Sequence, residues 1–142
     1  MIYEFDPRKE RFAIEIGVPM KLERLDKIPR PRVGEEVSMC INWNVFDWEK
    51  SFDGYGEIER EGKQIQGPSV NFPSMSFKDN KLTFGDVPGA QVGAGIAITL
   101  VINGKIDIRN PAKMATSKNK RTACGQKVNG NIIFVTVDNM TT

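Results

Sequence analysis

The sequence predicts a single, strongly β-dominated domain of the α+β class, with a mixed or antiparallel sheet built from successive hairpins and few helices. Three observations carry this expectation. Apolar and polar residues alternate in several short runs, the period-two signature of half-buried strands. Those runs are separated by residue pairs suited to tight turns, at Glu61-Gly62, Asp79-Asn80, Asn103-Gly104 and Asn129-Gly130. No stretch of a dozen residues keeps a helical period.

The elements follow in order. "RFAIEIGV" alternates from Phe12 to Ile16 and reads as a strand. "LERLDKI", Leu22 to Ile28, holds one or two helical turns before Pro29 stops it. "DKIPRPRVGEE" is a loop, because its prolines exclude a helix interior. "VSMCINWNVFD" reads as a mostly apolar strand ending in polar and aromatic residues. "SFDGYGEIEREGKQIQG" reads as a glycine-bearing loop and then a hairpin turning at Glu61-Gly62. In "PSMSFKDNKLTFGD", Met75 and Phe77 alternate, Asp79-Asn80 turns, and Leu82 and Phe84 return. "AGIAITLVINGKIDI" reads as a buried strand closed by Asn103-Gly104, and "RNPAKMATSKNK" as an exposed lysine-rich loop. The last hairpin, "RTACGQKVNGNIIFVTVD", turns at Asn129-Gly130.

Composition narrows the chemistry. The 142 residues suffice for one domain with a real core. Twenty basic against eighteen acidic residues leave a net charge of +2, too weak a field to point to nucleic acid or a membrane surface as partner. Histidine is absent, which removes Ser/His/Asp triads, Cys/His pairs and His-ligated zinc together. Acid–base work must then come from carboxylates, lysine, tyrosine or cysteine. Cys40 and Cys124 form no CxxC pattern and read as two free thiols. The N-terminus begins with charged residues and lacks the apolar core of a signal peptide, and no apolar run is long enough for a membrane span, so the chain as given reads as cytoplasmic.

Three places combine polar side chains with tight backbone. Asn42 and Asn44 share one face at a strand end, with Asp47 just beyond; they suit hydroxyl or phosphate oxygens, or a local Asx-turn. Arg121 follows Lys118 and Lys120 and precedes small residues; it suits a phosphate or carboxylate fork, or a solvated basic loop. Asp138 ends an apolar strand, either as a carboxylate at the core's rim or as a helix N-cap. The acids Asp47, Asp53 and Asp138 match no recognised calcium loop, and neither a metal nor a cofactor is expected.

Taken in order, these segments resemble the phosphodiester glycosidase family, that of the N-acetylglucosamine-1-phosphodiester α-N-acetylglucosaminidase domains. "NWNVFD" partly matches an "NGGFF"-like motif through Asn42, Phe46 and Asp47. "YGEIEREGK" fits a glycine-bearing hairpin, "LVINGK" a strand ending in Asn-Gly-Lys, "RTACG" an Arg-Thr-Ala-x-Gly motif, and "GNIIFVTVDN" a strand ending in Val-Asp. The likeness runs from about residue 37 onward, and Arg-Thr-Ala-x-Gly is its most specific part. Trp43 and Asn44 stand where the family has glycines. A later Asp-Gly-Gly-Gly-Ser-like motif of the family does not occur within residues 1–142.

The resemblance implies hydrolysis of a glycosidic bond between a sugar's anomeric carbon and a phosphodiester. In that reading Asp138 and Arg121 are catalytic, Arg121 and Lys120 holding the phosphate charge. Asn42, Asp47, Thr122 and Gly125 contact substrate. The partner is a sugar-phosphate small molecule or a glycoconjugate. The resemblance also implies one phosphodiester-glycosidase-like domain over 1–142, truncated at its C-terminal side. A missing C-terminal segment or a second copy of the chain would then cover an open edge beside the last strand. The alternative is a non-catalytic module, of phage origin, that binds a sugar phosphate or nucleotide-like ligand.

Overall fold

A computed structural model describes residues 1–15, 24–42, 55–106 and 119–140. Ten strands are present among them: β1 (Ile2–Phe5), β2 (Ile58–Arg60), β3 (Lys63–Gln66), β4 (Ser74–Lys78), β5 (Lys81–Phe84), β6 (Val92–Gly95), β7 (Val101–Ile102), β8 (Lys105–Ile106), β9 (Asn119–Gln126) and β10 (Ile132–Met140). They form a five-stranded sheet ordered β3-β2-β6-β4-β5, a three-stranded sheet ordered β1-β10-β9, and the small β7-β8 ribbon. Every strand pair is antiparallel. The helical part of the expected class is not found: among the described residues "LERLDKI" supplies only a 3-10 turn at Leu25–Lys27. With Pro29 and Pro31 so close, the segment is too short to repay helix nucleation.

The turn chemistry explains the hairpins. Glu61 and Gly62, Asp79 and Asn80, and Asn103 and Gly104 all adopt positive φ, as a two-residue type I′ turn requires. The last hairpin departs from that form. Gly130 N–H donates to the Lys127 carbonyl and Lys127 N–H to that of Asn131, so the turn centres on Val128-Asn129 and Gly130 (φ 90°) forms the bulge.

Two expected strands are not strands over their described residues. Residues 12–15 and 37–42 make no ladder, and the remainder of each expected strand lies outside the described residues. Their alternation still decides burial, since Phe12, Ile14, Met39 and Ile41 all pack against the core. Similarly, the run after Gly95 leaves the sheet at Ile96 and re-forms strands only at the β7-β8 ribbon.

The core lies between the two larger sheets. Met75, Phe77, Leu82 and Val92 come from one, and Phe5, Ile132 and Phe134 from the other. Each such side chain contributes roughly 1.5–3 kcal/mol by leaving water. Phe12 bridges the layers edge-on, its ring 5.2 Å from that of Phe77 and 5.6 Å from that of Phe134. Gln126 joins them a second time: its carbonyl accepts Leu82 N–H at 2.9 Å, and its amide donates to the Asn80 carbonyl at 2.8 Å. This occupies part of the β5 edge. β10 is the middle strand of its sheet, flanked by β9 and, over Ile132–Val135, by β1.

Candidate functional site

β2, β6 and β4 are neighbours, and their register stacks residues in rows. One row is Ile58, Ala94 and Met75, on the core side; the next is Glu59, Gly93 and Ser76, on the opposite side. The opposite face is therefore polar, with Glu57, Glu59, Ser74 and Ser76, and it is nonetheless buried: Glu57 is 0% exposed and Glu59 2%. The segment after β5 covers it. Ser76 Oγ donates to the Gly85 carbonyl at 2.6 Å and accepts Val87 N–H, Gly89 N–H donates to Glu59 Oε1 at 2.8 Å, and Lys78 Nζ reaches the Pro88 carbonyl.

That segment also brings Asp86 to the two glutamates. One carboxylate oxygen from each of Glu57, Glu59 and Asp86 lies within 4.8 Å of the others. Gly93 provides the room, since a Cβ there would sit 2.7 Å from Glu59 Cβ and 2.9 Å from Glu57 Oε1. Burial pushes the Glu57 carboxyl up to about 7; the Ser74 hydroxyl acts against this, and Asp86 and Glu59 raise it further. Glu59 Oε2 is buried and has no hydrogen-bond partner among the described residues.

The expected site residues lie mostly on the other sheet. Arg121 is half-buried in β9, opposite Val137 of β10, and its Nη1 donates to the Lys120 carbonyl at 3.4 Å. Asp138 is the next residue along β10, where the register shifts between Val137 and Met140; only its backbone is described. The hairpin thus brings Arg121 and Asp138 to adjacent positions. Lys120 and Thr122 are exposed and alternate to the face of β9 opposite Arg121. Gly125 lies opposite Ile133, about 13 Å from Arg121 at the usual strand rise. Asn42 is exposed in an irregular segment, and Asp47 lies outside the described residues.

A family model for phosphodiester glycosidase matches residues 57–142. The chain belongs to the phosphodiester glycosidase family. The match spans more than half of the chain and includes Arg121, Asp138, Lys120, Thr122 and Gly125, while Asn42 and Asp47 precede it. No curated protein and no solved structure matches the chain.

The Glu57–Glu59–Asp86 group also falls within the match, yet linear reading passes over it. Its signal is Glu-x-Glu at the entry to a short strand, which places both carboxylates on one face, with Gly-x-Gly at 93–95 on the neighbouring strand to make space. Asp86 has no such signal, because it arrives from a loop.

A cleft of about 330 Å³ is lined by Gly89 together with Arg11, Arg32, Glu61 and Gln91 among others. Its cations are already engaged. Arg11 forks onto Glu35 at 2.8–3.1 Å, and Arg32 pairs with Glu61.

Proposed function

We propose that the chain hydrolyses a sugar-1-phosphodiester, splitting the bond between the anomeric carbon and the phosphate oxygen. Membership of the phosphodiester glycosidase family supports the reaction class. The observation that carries the reading is the β9-β10 register, in which Arg121 faces Val137 with Asp138 as the next residue. The reaction needs a cation for phosphate charge that grows on the leaving group, and a carboxylate near the anomeric carbon as positive charge develops there. Arg121 takes the first role through its two-pronged guanidinium, and Asp138 the second. β9 is an edge strand, so a ligand lying along that edge also meets Lys120 and Thr122 on its other side.

The test is release of free sugar from a sugar-1-phosphodiester such as a sugar 1-(methyl phosphate). Arg121→Ala is expected to lower kcat/KM by roughly 10²–10³-fold, the usual loss for one such charge-stabilising donor. Asp138→Asn is expected to lower kcat with little change in KM. Turnover undiminished in both variants would sink the assignment. Saturable binding of the substrate with no sugar released would make the domain a binding module instead.

A further inference from the structure

We propose that Glu57, Glu59 and Asp86 bind one Ca²⁺ ion between the five-stranded sheet and the segment that covers it. The donor set is all oxygen and all carboxylate, the choice of a hard cation rather than of zinc. Oxygens bound to one Ca²⁺ at about 2.3–2.6 Å lie no more than about 5 Å apart, and the three carboxylates meet that limit with oxygens within 4.8 Å of one another.

A further observation separates this group from an ordinary acidic cluster. Glu59, only 2% exposed, has Oε2 buried and unpartnered, while its Oε1 is held by Gly89 N–H. A buried carboxylate oxygen with no donor is costly and calls for a ligand in that position. Gly93 lets both glutamates lie close over the β6 backbone, where a Cβ would clash with Glu59 Cβ at 2.7 Å and Glu57 Oε1 at 2.9 Å. Among the described residues neither Glu59 nor Asp86 forms an ion pair, so no side-chain cation there neutralises them. Asp86 is exposed, which gives the ion an entry side and room for the waters that complete six to eight ligands.

The site is remote in sequence from Arg121 and Asp138 and does not depend on the glycosidase reading. Binding would tie Asp86, and with it the segment 85–89, to β2.

The experiment is a calorimetric titration of CaCl₂ into the protein after chelation and removal of the chelator, with melting temperatures measured with and without millimolar Ca²⁺. The expected result is one saturable site, a dissociation constant on the order of 10⁻⁴ M or tighter, and a higher melting temperature with the ion. Glu59→Gln and Asp86→Asn should each weaken binding at least tenfold, with Mg²⁺ binding less tightly than Ca²⁺. Asp86→Asn alters an exposed side chain and serves if the buried substitution fails to fold. No saturable heat together with no thermal shift would overturn the proposal, as would unchanged affinity in Asp86→Asn. Equal affinity for Mg²⁺ would overturn the assignment to calcium.

Discussion

The two faces of β4 are both shut away from water, yet they are closed by different physics. Met75 and Phe77 point to the core and are held by apolar packing that has no required direction. Ser74 and Ser76, their immediate neighbours, point the other way into a layer of backbone amides, carbonyls and carboxylates. An apolar face tolerates any neighbour of the right volume. A buried polar face needs a specific partner for every atom, and a place where one is lacking is a place where a ligand can act.

The largest loss is expected on the apolar side. Phe77→Ala should cost about 3–5 kcal/mol in chemical denaturation, since Phe77 also supports the Phe12 bridge. A loss below about 1 kcal/mol would mean that the layers are not locked together there.

Gly93→Ala tests the polar side and should cost about 1–3 kcal/mol through overpacking, because the added methyl meets the Cβ of Glu59 at 2.7 Å. A stability equal to or above that of the unmodified chain would show that the two glutamates can withdraw. Ser76→Ala should fall at the lower end of about 1–3 kcal/mol, since it strands Val87 N–H while keeping the strand intact. An unaffected hydrogen-exchange rate at Val87 in that variant would contradict the bond.

The smallest effect is expected at the surface. Arg11, with help from the Arg32 N–H, holds Glu35 down to about 2. A carboxyl depressed on folding contributes stability above its ordinary value of 4.5, and that contribution is lost as pH falls through about 2. An NMR titration should place the Glu35 midpoint near 2, and Arg11→Ala should move it part of the way back to 4.5. A midpoint that does not move in the variant would assign the shift to the Arg32 N–H alone.

Local chemistry was the legible part of this fold. Asp79-Asn80 and Asn103-Gly104 announce their turns because few residue types accept positive φ at two successive positions. The alternation at Phe12 and Ile14 correctly marks burial but wrongly implies a strand, because periodicity fixes which side chains turn inward and not whether a partner edge is available. The same distinction governs the sites. Arg121 and Asp138 lie on a hairpin visible in the sequence, but its turn falls one residue earlier than expected, so that Val137 is the residue opposite Arg121. Glu59 and Asp86 could not be paired from the sequence, because only the fold of the segment after β5 puts them together.

One pairing has a consequence for how the protein is made. β1 lies against β10, with Ile2 opposite Val135, and the Thr136 N–H donates to the Met1 carbonyl at 2.8 Å. During synthesis, β1 waits for β10 before it has a neighbour. The five-stranded sheet can assemble on the way, as its strands all fall between Ile58 and Gly95. The three-stranded sheet closes only after β10 has emerged, and its long-range β1-β10 pairing carries the larger loop-closure cost of the two sheets.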